Sequence, residues 1–206
     1  MIAVVDYGVG NLFSLASSLK KIGADCVVTG DEKVIKSADS ILLPGVGAFA
    51  DAMQKLVDTG LVPVLRQEVA NGKPLLGICL GMQLLFDESH EYGKNRGLGF
   101  VKGCVAPIAD DLKEPLKIPH MGWNSLNFTK QSPLFKYIDD GDYVYFVHSY
   151  YAKDCADSVI ATTNYGIDMT VAVQNKNVFG TQFHPEKSGN TGLKILKAFA
   201  EMQANA

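Results

Sequence analysis

Up to about residue 80, short unbroken apolar runs alternate with longer stretches in which apolar positions recur at helical spacing. The first run, "IAVVD" at 2–6, is β-branched and stops just before Gly8, which predicts a buried strand. Leu12, Leu15, Ala16, Leu19 and Ile22 then fall on one face of a helix. "DCVVT" at 25–29, "SILLP" at 40–44 and "PLLGI" at 74–78 read as further strands. Helical patterns fill the gaps, and one follows Cys79. Continuous apolar strands separated by helices predict a parallel sheet covered on both faces, because each strand must bury both of its sides.

After Gly97 the texture becomes β-rich. "GLGFVKGCVAPI", "DYVYFVHSYYA", "DSVIATT", "MTVAVQ" and "NVFGTQFHP" are strand-like, several of them separated by Asn, Asp and Gly turns. A last amphipathic helix, with Leu193, Leu196, Phe199 and Ala200 on one side, closes the chain. No repeat, low-complexity segment or linker interrupts the pattern. It predicts one α/β domain over residues 1–206, with a mixed, mostly parallel central sheet flanked by helices and a β-rich second half.

Composition narrows the function classes. With 206 residues, 47% of them hydrophobic, the chain can build one sizeable core. A formal charge of -3 leaves no basic footprint for nucleic acid or an acidic membrane. Four cysteines, Cys26, Cys79, Cys104 and Cys155, contain no close pair, which suits neither a zinc site nor a redox pair and fits a reducing compartment. The start, "MIAVVDYGVGN", lacks the charged and long apolar regions of a signal peptide. No apolar stretch approaches the ~18 residues needed to span a membrane. These features predict a cytoplasmic protein with no metal and no cofactor.

Two glycine-bearing turns invite a reading as sites. "DYGVGN" after the first strand carries Gly8 and Gly10, but Phe13 stands where a dinucleotide fingerprint needs its third glycine. "GICLG" is different. Gly77-Ile78-Cys79-Leu80-Gly81 between a strand and a helix is a nucleophile elbow with cysteine in place of serine. The turn is sharp, so side chains beside the nucleophile would strike the neighbouring strand and helix. A helix starting at Leu80 would stabilise a thiolate through its free N–H groups, and the Leu80 N–H would face a developing oxyanion. The competing reading is a small buried hydrophobe, the commoner fate of an isolated cysteine. A partner base is needed to decide.

The search for that base is short. His90 lies in the polar loop "DESHEYGKNRG", His120 in "PHMGWN", and His148 in the strand "YVYFVHSYY". His184 opens "HPE" directly after a strand, with Glu186 two residues on to orient its ring, which supplies the parts of a Cys-His-Glu triad. Alone, that tripeptide also reads as a surface turn.

"GICLGMQ" followed by "GTQFHPEKS" resembles the triad (class I) glutamine amidotransferases, and the resemblance runs the length of the chain. It implies that Cys79 is the nucleophile, His184 the general base and acid, and Glu186 the group that orients His184. "LLPGVGAF" at 42–49 matches the family's oxyanion strand, so Gly45, Val46 and Gly47 join Leu80 around the oxyanion. Gly45, Gln83 and the backbone of His148, Ser149 and Tyr150 are implied to hold the substrate, L-glutamine. "DYGVGNLFSL", "PGVGAF" and "IPHMGWN" together resemble one subgroup, the glutaminase subunits of imidazole glycerol phosphate synthase in histidine biosynthesis. That resemblance implies a heterodimer with a separate (β/α)8 cyclase that receives the ammonia. It also implies a partner face of Asn11, Ser14, His120, Met121, Trp123, Asn124, Tyr145 and Lys187. From the residues alone, the single Trp in a Pro/Gly turn reads equally as a core plug.

One departure stands out. The wider family usually reads Pro-Gly-Gly at the oxyanion strand, and here the run is Pro44-Gly45-Val46-Gly47. If the oxyanion N–H requires a left-handed backbone, a β-branched residue there is strained by about 1–3 kcal/mol. That predicts a free subunit resting with the Val46 peptide turned away. Two other functions fit parts of the pattern: a stand-alone glutamine or γ-glutamyl hydrolase, and a non-enzymatic thiol sensor on a related fold. The "PHMGWN" cluster counts against the first, and "HPE" against the second.

Overall fold

The structure, a computed structural model, describes residues 1–202; the last four residues of the expected 1–206 domain lie outside the described part. The first half forms β1 (Ile2–Val5), α1 (Leu12–Lys21), β2 (Cys26–Thr29), α2 (Glu32–Ser37), β3 (Ser40–Gly45), α3 (Phe49–Asp58), α4 (Leu61–Ala70) and β4 (Leu75–Cys79). A single helical turn, α5 (Leu80–Gln83), follows at once. β5 (Phe86–Ser89), β6 (Asn95–Arg96) and β7 (Val101–Pro107) then extend the sheet. β8 (His120–Ser125), β9 (Asn127–Phe128), β10 (Tyr143–His148), β11 (Tyr150–Lys153), β12 (Val159–Asn164), β13 (Asp168–Asn175) and β14 (Val178–Thr181) make the second half β-rich, and α6 (Gly189–Ala200) ends it.

The main sheet runs β2-β1-β3-β4-β14-β13-β11-β7-β5-β6. Its body, β2 to β14, is parallel, and β13 begins an antiparallel extension. The sheet is therefore mixed, with the parallel part filling the half that begins at the β2 edge, where the unbroken apolar runs lie. Each central strand divides its side chains between two cores. Ile2, Val4 and Leu42 pack with Leu15 and Leu19 of α1 and with Ile195, Leu196 and Phe199 of α6. Ala3, Val5, Ile41 and Leu43 face the other way, against Ile35, Phe49, Leu56 and Leu65 of α2, α3 and α4. Burying each such Leu or Ile side chain is worth about 1.5–3 kcal/mol. On α6, Ile195 rather than Leu193 carries the buried stripe.

Two elements differ from the sequence reading. The helical pattern after Cys79 lasts one turn, because the chain turns straight into β5 across the edge of the second core. "DYVYFVHSYYA" is also not one strand. Its first part, β10, pairs antiparallel with β8 in a separate two-stranded ribbon. Its second part, β11, pairs with β7 in the main sheet. The break between them, at Ser149, falls beside the candidate site.

Candidate active site

Cys79 ends β4 with φ 55°, a left-handed backbone that a side chain adopts only at a cost. Its flanking glycines make this possible by allowing close approach. A Cβ on Gly81 would sit 1.8 Å from the Leu43 carbonyl oxygen, and one on Gly77 would sit 2.6 Å from the Gly81 oxygen. Gly45, on the neighbouring strand, is similarly hemmed in, with Gly81 N at 2.7 Å and the Tyr7 hydroxyl at 2.9 Å from where its Cβ would lie. The ends of β3 and β4 and the turn of α5 therefore touch backbone to backbone, at the C-terminal edge of the parallel sheet where α/β folds place their sites.

His184 follows β14, the strand beside β4, and its side chain is buried. Its Nδ1 lies 2.8 Å from Glu186 Oε1, and both side chains are nearly inaccessible. The second carboxylate oxygen of Glu186 is buried and has no partner among the described residues, so His184 is the only group bonded to this carboxylate. Burial alone would lower the His184 pKa, but its interactions with the Cys79 sulfur and with the Glu186 carboxylate overcome it and raise the value to about 9. The imidazole is thus held in its charged form at neutral pH, between a sulfur and a carboxylate.

A cavity of about 410 Å³ opens over this pair. Val46, Gly47 and Leu80 line it on one side, and Gln83, His148, Ser149 and Tyr150 on another. Lys187 stands at its mouth, and Glu91, Tyr92, Pro119 and Val147 complete the wall. Gly45 lies beneath the lining, and Glu186 sits behind His184. A larger cavity, about 810 Å³, opens at the opposite edge of the sheet, near Pro74 and Val178. It is lined by no cysteine, histidine or carboxylate, so the smaller one is the candidate site. No cluster of metal-ligating side chains is present among the described residues. With a nucleophile, a charged imidazole and a polar pocket on one wall, the arrangement can perform acyl transfer through a thioester.

A family model described as glutamine amidotransferase class-I matches residues 3–202, nearly the full described chain. The chain is a class-I glutamine amidotransferase. Among similar proteins, "Imidazole glycerol phosphate synthase subunit HisH" of Caldanaerobacter subterraneus subsp. tengcongensis is 52% identical, with 98% of each chain covered. The protein of the same name from Methanothermobacter thermautotrophicus is 48% identical, again over 98% of each chain. Solved structures share the fold at low identity. A glutamine amidotransferase crystal structure superposes with TM-score 0.76 at 18% identity, covering 98% of this chain and 100% of that one. A Trypanosoma brucei CTPS glutaminase domain with bound acivicin superposes with TM-score 0.68 at 18% identity, over 98% and 94%.

Around the cavity of this amidotransferase, several side chains are fixed in ways the sequence did not suggest. Tyr7 donates to the Pro44 carbonyl at 2.7 Å and so ties the loop after β1 to the Pro44–Gly47 run. Within that run the left-handed backbone falls on Gly47, at φ 94°, and not on Val46, which is 44% exposed. Glu91, in what reads as a plain polar loop, reaches the start of α3 and accepts from the Phe49 N–H at 2.6 Å. A carboxylate at a helix N-terminus is stabilised by the dipole, but nothing in the local pattern reveals a pairing 42 residues away in sequence.

The residues expected at a partner face divide. Met121 and Trp123 are 61% and 55% exposed, and Lys187 is exposed as well, so Trp123 does not plug the core. Trp123 packs edge-to-face on Tyr145, its cross-strand partner in the ribbon, with ring centroids 6.1 Å apart. Asn11 and Ser14 are half-buried at the start of α1, on either side of Phe13, which is 85% exposed. His120 is turned inward, a correction to its placement on the face. Its alternation along β8 puts it under the ribbon, stacked on Tyr165 at 4.2 Å and bonded through Nδ1 to His148 Nε2 at 3.0 Å. Asn124 is half-buried and spends its amide on Asn164 O, at 2.9 Å, and on the His120 ring. Burial lowers the pKa of both His120 and His148 to about 4, so this pair stays neutral.

Proposed function

We propose that the chain is the glutaminase subunit of an imidazole glycerol phosphate synthase, hydrolysing L-glutamine and delivering the ammonia for histidine biosynthesis. The observation that carries the reading is the buried Cys79–His184–Glu186 constellation in a cavity at the sheet's C-terminal edge, in a chain similar to HisH subunits along its whole length. Cys79 attacks the side-chain amide carbon of glutamine. The oxyanion is held by N–H groups of Leu80 and of the Gly45–Gly47 turn, where each donor is worth about 10²–10³ in rate. His184 passes its proton to the leaving ammonia, then takes one from the water that opens the thioester. Glu186 keeps the ring oriented and its charged form stabilised.

Gln83 has a defined part in this reading. Both of its amide hydrogens are engaged, one on Tyr150 O and one on Gln182 Oε1, which leaves Oε1 to accept from the substrate's ammonium group. The cysteine and histidine supply the chemistry with no metal or cofactor.

A (β/α)8 cyclase is the partner we propose, docked on the face that carries Phe13, Met121 and Trp123. The exposure of these large apolar side chains favours a subunit over a stand-alone hydrolase. A cytoplasmic location fits this role, and no helix among the described residues is long and apolar enough to cross a membrane. The test is glutamine hydrolysis with and without the cyclase. Hydrolysis should be weak alone and rise sharply in the complex; full activity without the partner would favour a stand-alone hydrolase.

A further inference from the structure

We infer that Gln182 is a positioning residue for Cys79, its side-chain amide donating an N–H to the sulfur and holding the thiolate toward the cavity. The inference rests on the reading of Cys79 as nucleophile. It begins from a shortfall: the helix after the elbow spans only Leu80–Gln83, too short for an appreciable dipole at its start. The sulfur needs another source of support. Gln182 is fully buried, immediately after β14, and its Nε2 lies 3.7 Å from Cys79 Sγ.

The direction of this contact is set by its neighbours. A carbonyl oxygen can only accept, so the Tyr150 carbonyl forces Gln83 to present its Nε2, at 3.3 Å. The second hydrogen of that nitrogen goes to Gln182 Oε1 at 3.0 Å. With its oxygen so occupied, Gln182 must turn its own N–H groups to the sulfur. Flipping either amide would set oxygen against oxygen or nitrogen against nitrogen.

The same carbonyl is anchored from its other side. His148 Nδ1 lies 2.8 Å from it and must be protonated to bond there. That leaves His148 Nε2 to accept from His120 Nδ1, and His120 Nε2 to accept from Asn124 Nδ2 at 3.4 Å. One ordered chain of donors therefore runs from the ribbon to the carbonyl that fixes Gln83 and Gln182.

The charged and titratable groups facing the sulfur are His184, with Glu186 behind it, and Tyr7 from the loop after β1. Tyr7 is kept uncharged, its pKa raised by burial first and by the neighbouring sulfur second, and its hydroxyl is spent on Pro44 O. His184 loses its proton during each turnover. Gln182 does not titrate, so its N–H is available to the sulfur whatever the charge on the imidazole, including when the thiolate is expelled from the thioester. A hydrogen bond to a charged acceptor of this kind is worth about 10- to 100-fold in the population it favours.

The test is the rate of Cys79 alkylation by iodoacetamide, read by peptide mass from about pH 6 to about pH 10, the range over which thiols ionise. It compares the unaltered chain with Gln182→Leu and Gln182→Glu. Gln182→Leu should slow labelling near neutral pH by about tenfold and move the profile to higher pH. Gln182→Glu keeps the size and the bond from Gln83 but sets a carboxylate oxygen against the sulfur, so its profile should move further in the same direction. In the cyclase complex both should lower kcat for glutamine more than they raise KM. If Gln182→Leu fails to fold, the Glu variant decides. Labelling profiles and kcat unchanged from the unaltered chain would overturn the inference. If the unaltered chain labels Cys26, Cys104 and Cys155 as fast as Cys79, the nucleophile reading itself falls, whatever Gln182 does.

Discussion

At the scale of single residues, the site depends on what is missing as much as on what is present. Cys79 can take its left-handed backbone at the end of β4 because Gly77 and Gly81 leave nothing for the adjoining strand and turn to strike. In the proposed mechanism His184 moves the protons and Glu186 orients it. His184 is in contact with the sulfur, whereas Glu186 touches only His184. Removing the group that moves protons, His184→Ala, should cost about 10²–10⁴-fold in kcat. Glu186→Gln, which keeps shape but loses charge, should cost no more than that. Steady-state kinetics on both variants decides: a larger loss at Glu186 would mean that this carboxylate meets substrate directly. Residue type and spacing offer the cysteine, the histidine and the glutamate as candidates, and the family resemblance assigns their roles. Gln182 stands two residues before His184, inside the quoted "GTQFHPE", and still gives no sign of its contact. Its partners, Cys79 and Gln83, come from a strand and a turn about a hundred residues earlier.

At the scale of elements, the strands of the first half follow the apolar runs to within a residue or so. β1, β3 and β4 are buried on both faces, and only the edge strand β2 is partly open. The short α5 and the split of "DYVYFVHSYYA" into β10 and β11 are not legible, because both are set by which sheet receives the chain. His120 is misread for the same reason. Its neighbours Met121 and Trp123 are exposed, and only the pairing of β8 with β10 decides which way the intervening residues point. The Pro44–Gly47 run is the element on which we propose that turnover control rests. Tyr7 pins its Pro44 carbonyl, Gly47 takes the left-handed backbone, and Val46 does not. If a peptide flip at Val46 is what completes the oxyanion site, Val46→Gly should raise glutamine hydrolysis by the isolated subunit and shrink the stimulation by the cyclase. The flip's cost, about 1–3 kcal/mol, corresponds to roughly 5- to 150-fold. Unchanged basal activity with the fold intact would place the control elsewhere.

At the scale of the whole molecule, the two faces of the sheet are closed by helices, while the ribbon and the start of α1 leave large apolar side chains in water. Trp123 is exposed among them, and its indole packs on Tyr145 rather than in the core. Truncating such an anchor typically costs about 2 kcal/mol or more, which is about 30-fold in affinity. Trp123→Ala should therefore weaken cyclase binding in a titration while leaving the subunit's thermal unfolding unchanged. A drop in stability with binding intact would show that the indole serves the fold.

The central claim is that Cys79 makes ammonia here for use in another subunit, and one substitution separates those two halves. In the complex with the cyclase, product formation by Cys79→Ser should be measured once with glutamine and once with ammonium salt as the nitrogen source. The account predicts that glutamine-dependent synthesis disappears while ammonia-dependent synthesis continues at the unaltered rate, because the cyclase needs the ammonia and not the thiol. Substantial glutamine-dependent synthesis in that variant, or equal loss of both activities in an intact complex, would contradict it.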